Sequence, residues 1–209
     1  MTTKRMHTSV VGEQLSTDAD SSILHSAPYM VSVTIVGVAD LLFHAWSVEA
    51  VAEKSAAKKG SKAKKEDNLE SYLYRDDEGL LGIPGENFRQ SIIEAARYLQ
   101  DPRSPRKSAR DLFKAGLVSL TKCASLGVAD YDYLDRRRVT IQRQGITRIR
   151  PAMLPGWTGT FVLLISTPEY ISLALLTETI VQAGRLIGLC DFRPSYGRFQ
   201  ATHIQVVPD

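Results

Sequence analysis

The stretch from Leu80 to Leu99, LLGIPGENFRQSIIEAARYL, constrains the fold more than any other part of the chain, because it dictates a tight turn feeding straight into an amphipathic helix. Gly82, Pro84 and Gly85 punctuate the backbone, and Glu86 or Asn87 opens the helix, Asn87 being the better N-cap. Phe88, Ile92, Ala95, Ala96 and Leu99 then recur at helical spacing, while Gln90, Glu94, Arg97 and Gln100 fall on or near the other face. One face is core and the other solvent. The helix N-terminus offers free N–H groups and a favourable dipole, so with Arg89 and the Asn87 amide beside it a phosphate fits there. A capped helix docked on a sheet explains the same pattern without any ligand.

The remaining elements follow from alternation and punctuation. Val31, Val33 and Ile35 alternate with Ser32 and Thr34, which makes Tyr29 to Leu42 a half-buried strand; Gly37 allows a bulge or a close backbone approach before Val38 to Leu42 continue. His44 and Trp46 stand at its end. Ser108 is expected to cap a short helix, Ala109 to Ala115, and Leu117 to Leu126 alternates loosely enough for a strand. Trp157 to Ile165 is the most apolar strand and should be central. Ser172 caps a helix from Leu173 to about Ile187, with Leu176, Ile180, Ala183, Gly184 and Ile187 toward the core and Gly188 as its left-handed terminator. Phe199 to Val207 is the last strand. The order is that of the split βαβ plan: an α+β, ferredoxin-like or RNA-recognition-motif-like (RRM-like) βαββαβ sheet with two helices on one face. Residues 1–27 read as a flexible arm, and residues 28–209 as one RRM-like domain with insertions at about 48–75 and 101–156.

Charge matters here by position. The net charge is only +3, yet the cations cluster. Val48 to Asn68 carries Lys58, Lys59, Lys62, Lys64 and Lys65 in a segment with no apolar face, which suits either a solvated linker or a basic flap. Arg136 to Pro151 reads as a β-hairpin turning at Gln144-Gly145, and Arg136, Arg137, Arg138, Arg143, Arg148 and Arg150 fall within it. Charged edge strands resist aggregation, but arginine repeated on both arms also suits phosphate, whose oxygens match the guanidinium fork. Cys123 and Cys190, with no CxxC and no histidine nearby, indicate neither a metal site nor a disulfide framework. No cofactor is expected. With no signal-like or membrane-length apolar run, the expected setting is the cytoplasm, away from membranes.

Two stretches resemble a known family. YLYRDDEGLLGIPGENFRQSIIEAA is similar to the element of the RAMP superfamily (repeat-associated mysterious proteins of CRISPR systems) that reads roughly D-x-x-G-x-P-x-I-P-G-S-S-L-K-G-x-L-R. Asp76, Gly79, Ile83, Pro84 and Gly85 match, and Phe88 and Arg89 stand at its Leu and Lys. Leu81 replaces the first proline, and Glu86 and Asn87 replace the two serines. After the second helix, Gly188 to Phe199 resembles the family's glycine-rich loop through Arg193, Tyr196, Gly197, Arg198 and Phe199, although Pro194 and Ser195 stiffen it.

The resemblance implies a non-catalytic subunit that binds single-stranded nucleic acid, guide RNA foremost, and assembles with copies of itself and other subunits along the strand of a CRISPR-type effector complex. Asn87 and Arg89 would hold the backbone, the arginine hairpin would reach over the strand or onto a neighbour, and Arg193, Tyr196 and Arg198 would close the groove. One alternative is a metal-independent RAMP-type endoribonuclease with His44 or Tyr196 as acid or base. Another is a phage or mobile-element assembly protein whose basic ribbon grips an acidic neighbour.

Overall fold

The computed structural model describes residues 27–45, 52, 56, 68–141 and 144–208. The N-terminal arm, Trp46 and the lysine run lie outside them. Four strands form the main sheet: β1 (Tyr29–Gly37), β6 (Leu117–Ser119), β10 (Thr158–Ile165) and β11 (Phe199–Val207), in the order β11-β1-β10-β6 with every neighbour antiparallel. That is the ferredoxin-like arrangement, and its second strand, β6, comes from inside the stretch read as an insertion.

Alternation decides which way each strand faces. Tyr29, Val31, Val33 and Ile35 are buried, as are Phe161, Leu163 and Ile165 on β10. Onto this face pack α1 (Gly85–Ala95) and α3 (Leu173–Gln182). Phe88 of α1 stacks on Phe161, with ring centroids 4.3 Å apart, and lies 5.7 Å from Phe199. Ile92, Ile93, Ala95 and Ala96 continue the buried stripe. The cap of α3 is as expected: the Ser172 side chain accepts from the Leu175 N–H, and after a π turn at Ala183–Ile187 the chain leaves through Gly188 at φ +79°.

Among the described residues, no named helix packs on the other face of the sheet. Register sets four rows across it. Val207, Met30, Leu164 and Val118 form the first, and Gln205, Ser32, Val162 and Leu120 the second. His203, Thr34 and Thr160, then Gln200, Val36 and Thr158, complete the face.

Smaller strands hang from this frame. After Gly37, where the Trp157 indole crosses the backbone, the chain leaves the main sheet. Leu41–Leu42 (β2) then pairs with β9 (Gln144–Met153), which pairs with β8 (Tyr133–Ile141) to make the arginine hairpin. So Val38 to Leu42 do not continue the first strand as expected. The hairpin also turns earlier than expected: Gln144 and Gly145 are paired residues of β9, opposite Ile141 and Thr140. β3 (Gly82–Pro84) pairs with β7 (Cys123–Ser125), so Leu117 to Leu126 is two short strands in different sheets rather than one. β4 (Gln100–Asp101) pairs with β5 (Ser104–Ser108), which places Ser108 in a strand. The helix that follows, α2 (Arg110–Gly116), has Ala109 as its N-cap with no side-chain cap bond. Likewise α1 begins at Gly85, two residues ahead of Asn87, because Pro84 supplies the extended residue before the helix.

The start of α1 depends on close contact. A Cβ on Gly85 would lie 1.9 Å from the Thr121 carbonyl oxygen, and the Gly85 N–H donates to Lys122 O at 3.1 Å. Gly85→Ala is therefore expected to cost about 3 kcal/mol in urea unfolding, because backbone must move. Gly79→Ala, at φ +81° with nothing within 4 Å, should cost only about 1 kcal/mol. Acid stability has its own local source. The Arg103 guanidinium holds the buried Asp101 carboxyl down at about 2, so this pair stabilises the fold above the ordinary carboxyl value of 3.8 and less as pH falls toward about 2. Asp101→Asn should lower Tm at neutral pH and flatten the acid limb of the Tm profile.

Candidate nucleic-acid interface

Three sequence-distant pieces meet beyond the C-terminal end of β1. The first is the loop from Gly188 to Arg198. Cys190 and Phe192 have φ of 58° and 56°, and Gly188 and Gly197 have φ of 79° and 70°. Left-handed conformation at two side-chain-bearing residues is costly and is sustained only where surrounding contacts fix it. Here main-chain bonds do so: Asp191 N–H donates to Leu42 O at 3.0 Å, Gly197 N–H to Asp40 O at 2.7 Å, and Leu189 N–H to Gly197 O at 2.9 Å. The loop is thereby hooked to the segment that leads from β1 into β2. Burial pushes the Cys190 thiol up to about 12, so it stays neutral.

The second piece is the β8–β9 hairpin. On β8, Tyr133, Asp135 and Arg137 share one face with their partners Ala152, Arg150 and Arg148 on β9. That face meets the loop. Arg150, only 3% exposed, donates from Nε to Asp191 Oδ2 at 3.0 Å and lies over the Tyr72 ring at 4.7 Å. Arg137 donates from Nε and Nη2 to the two oxygens of Asp135, at 2.5 and 2.6 Å, and from Nη2 to the Tyr196 hydroxyl at 2.5 Å. Its guanidinium also sits 4.5 Å from the centroids of both Phe192 and Tyr196. The Asp135 carboxylate raises the Arg137 pKa still further, so the charge is permanent. Beside it, Tyr133 donates to Asp40 Oδ2 at 2.5 Å, and burial together with that carboxylate raises the phenol pKa.

The third piece is the Ile-Pro-Gly turn and the first turn of α1. The Tyr74 phenol donates to the His44 carbonyl at 3.5 Å, and burial chiefly, with neighbouring Cys190, raises its pKa, while Asn87 beside it acts the other way. His44 connects the pieces. Its Nδ1 is 3.7 Å from Asp191 Oδ2, its ring meets Tyr72 edge-on at 5.1 Å, and its side chain is 40% exposed.

The predicted residues divide into separate groups. Asn87, Arg137, Arg150, Tyr196 and His44 are brought together. Arg89 is not: it donates to Leu117 O at 2.7 Å, to Lys114 O at 2.8 Å and to Glu86 Oε1 at 2.9 Å, so it caps the end of α2. Arg136, Arg138, Arg193 and Arg198 are exposed and make no ion pair among the described residues; Arg148 is half-buried opposite Arg137. Lys58, Lys59, Lys62, Lys64, Lys65 and Arg143 lie outside the described residues. Asp40, Tyr72, Tyr74, Asp135, Asp191 and Phe192 organise the junction although sequence reasoning does not point to them. Asp135-x-Arg137 is the one readable signal among these, since residues two apart on a strand share a face.

The net result is a junction whose inner cations are neutralised and whose outer cations face solvent. Among the described residues no group of three or more His, Cys, Asp or Glu side chains is arranged to hold a metal ion, and no helix is long and apolar enough to cross a membrane. Removing Arg150 leaves Asp191 partly buried without its cation. Arg150→Ala is expected to lower stability by about 2–3 kcal/mol, while Arg136→Ala should stay within about 0.5 kcal/mol, both read from urea unfolding.

No family model matches the chain, and no curated protein matches it in sequence. Among solved structures it is similar to a chain of the cryo-EM structure of Type III-B Cmr-beta bound to cognate target RNA, with a TM-score of 0.54 and 13% identity. The match covers 87% of this chain and 61% of that one, so the shared part is the fold described above and the neighbour extends well beyond it.

Proposed function

We propose that this chain is a non-catalytic, RNA-binding subunit of a CRISPR-type effector complex, a RAMP-superfamily relative that lies side by side with its own copies along a single strand. The observation that carries the reading is the convergence of hairpin, loop and Ile-Pro-Gly turn at one end of the sheet, with Arg136, Arg138, Arg193 and Arg198 exposed there or on the same elements. The fold shared with a chain of an RNA-bound Cmr assembly supports it. On this reading the exposed arginines take phosphates, which confers affinity with little sequence preference. The paired arginines, Arg137 and Arg150, act by holding the hairpin against the loop. Asn87, at the start of α1, takes a backbone contact.

His44 beside Asp191 is the observation that keeps an endoribonuclease reading in play, since an exposed imidazole next to a carboxylate is suited to proton transfer. Tyr196 is less suited, because its hydroxyl already accepts from Arg137.

Filter binding of a short labelled RNA across a salt series should give salt-sensitive binding, and Arg136→Ala with Arg138→Ala should lower the magnitude of the salt slope by about 0.7 for each phosphate that is no longer neutralised. Arg103→Ala, which breaks the Asp101 pair, should leave the slope unchanged. Absence of salt-sensitive binding would overturn the proposal. In the same samples a labelled hairpin RNA should stay intact; cleavage abolished by His44→Ala would replace this reading with the nuclease.

A further inference from the structure

Opposite charges stand at the two ends of α1. Beyond its last turn come the β4–β5 hairpin and the start of α2, and residues 94–111 hold five cations, Arg97, Arg103, Arg106, Lys107 and Arg110, against the carboxylates of Glu94, Asp101 and Asp111. Glu94 pairs with both Arg97 and Arg110, and Asp101 with Arg103. Arg106 and Lys107 are exposed on β5 and make no ion pair among the described residues. Two phenols complete this surface. Tyr170, 41% exposed, lies under the Arg103 guanidinium at 5.4 Å, and Tyr98, 57% exposed, under that of Arg97 at 5.7 Å.

Ahead of α1 the sign is reversed. Asp76, Asp77 and Glu78 lie in the loop before β3, and Asp130 and Asp132 in the loop after β7, with no Lys or Arg at residues 76–81 or 126–132. Arg75 ties the two loops together, donating from Nη1 to Gly79 O at 2.8 Å and to Ala129 O at 2.9 Å. Asp76 is used internally, accepting from the Glu78 and Leu80 N–H groups, whereas Asp77, Glu78, Asp130 and Asp132 are exposed. The helix between the two ends is about 16 Å long.

The basic end is better suited to protein than to nucleic acid, because a phosphate there would meet Glu94 and Asp101 as well as the arginines. Exposed tyrosine beside arginine is the composition of protein interfaces. The acidic end adjoins the Ile-Pro-Gly turn of the candidate interface, where its carboxylates would repel a strand unless cations covered them. We propose that the basic end of one copy docks on the acidic end of the next, with Arg106 and Lys107 facing Asp77 and Glu78. The inference rests on the side-by-side reading and supplies its contact surfaces and polarity. A contact between two different surfaces leaves one of each free, so copies go on adding in one direction.

The full chain on a single-stranded RNA long enough for several copies, sized by mass photometry at low salt, tests it. Arg106→Glu with Lys107→Glu, and separately Asp77→Lys with Glu78→Lys, should each weaken the loading of further copies by about tenfold or more. An equimolar mixture of the two variants should restore it, because the reversed charges then match across the contact. Filter binding of an RNA too short for two copies should be unchanged in Arg106→Glu with Lys107→Glu. Multiple loading that persists in both variants, or a loss that the mixture does not restore, would overturn the inference and leave the side-by-side reading standing. Lost binding of the short RNA would also overturn it, since the basic end would then be a nucleic-acid surface. A wild-type chain that never loads more than one copy would remove the inference and the side-by-side reading together.

Discussion

The pairing of Arg150 with Asp191 is the interaction on which the candidate interface depends. Arg150 is almost fully buried, so its charge has given up most of its water, and the Asp191 carboxylate and the Tyr72 ring face are what replace it. The same carboxylate approaches His44, and the Asp191 N–H is tied to Leu42. One residue in a strained loop thus links a β9 side chain, the end of the first strand and the imidazole. Without this pair, the left-handed residues on either side of Asp191 would have less to hold them, since that conformation persists only where neighbours enforce it. Taking either partner away would leave the other short of its counter-charge, so the pair ties the hairpin to the loop whatever its net contribution to stability.

Arg137 repeats the device farther along the hairpin. A guanidinium with a bidentate carboxylate partner, a phenol acceptor and two ring faces uses nearly all of its recognition capacity inside the molecule. Arginines that look equivalent in sequence therefore have opposite tasks. On β8, Arg137 faces the loop, while Arg136 and Arg138 alternate to the other side and remain exposed. The period of two in a strand is what separates structural from available charge.

What can be read from sequence follows the range of the interaction. The alternation of Val31, Val33 and Ile35, the Ser172 cap and the Gly188 terminator are local, and they occur where the pattern places them. The hairpin turn does not, although Gln144-Gly145 is locally permissive for one. The register puts Gly145 opposite Thr140, in the same ladder that pairs Tyr133 with Ala152 and Asp135 with Arg150. Ser108 and Asn87 are not caps for a related reason: strand pairing in β5 and the extended Pro84 set the helix starts. The roles of Arg89, Arg137 and Arg150 are hidden more deeply. Beside the local partners Glu86 and Asp135, their distant partners lie at Lys114 and Leu117, at Tyr196, and at Asp191, and no window of local sequence contains both ends of those contacts.

The two ends of β1 differ in chemistry, and that difference orders the molecule. At the Gly37 end the strand runs into Asp40 and Leu42, whose carbonyls hold the loop, and the neighbouring surface is rich in arginine and tyrosine. At the Tyr29 end the uncovered face is aliphatic and the nearest side chains are Met30, Leu164 and Val118. A sheet with a row of aromatics on its open face would bind nucleic acid flat across the strands, but here the phenyl and phenol rings and the exposed cations are displaced to the rim. On the proposed reading, a bound strand would then track the Gly37 end and meet phosphate-binding groups before base-stacking ones. Binding of that kind carries little sequence preference.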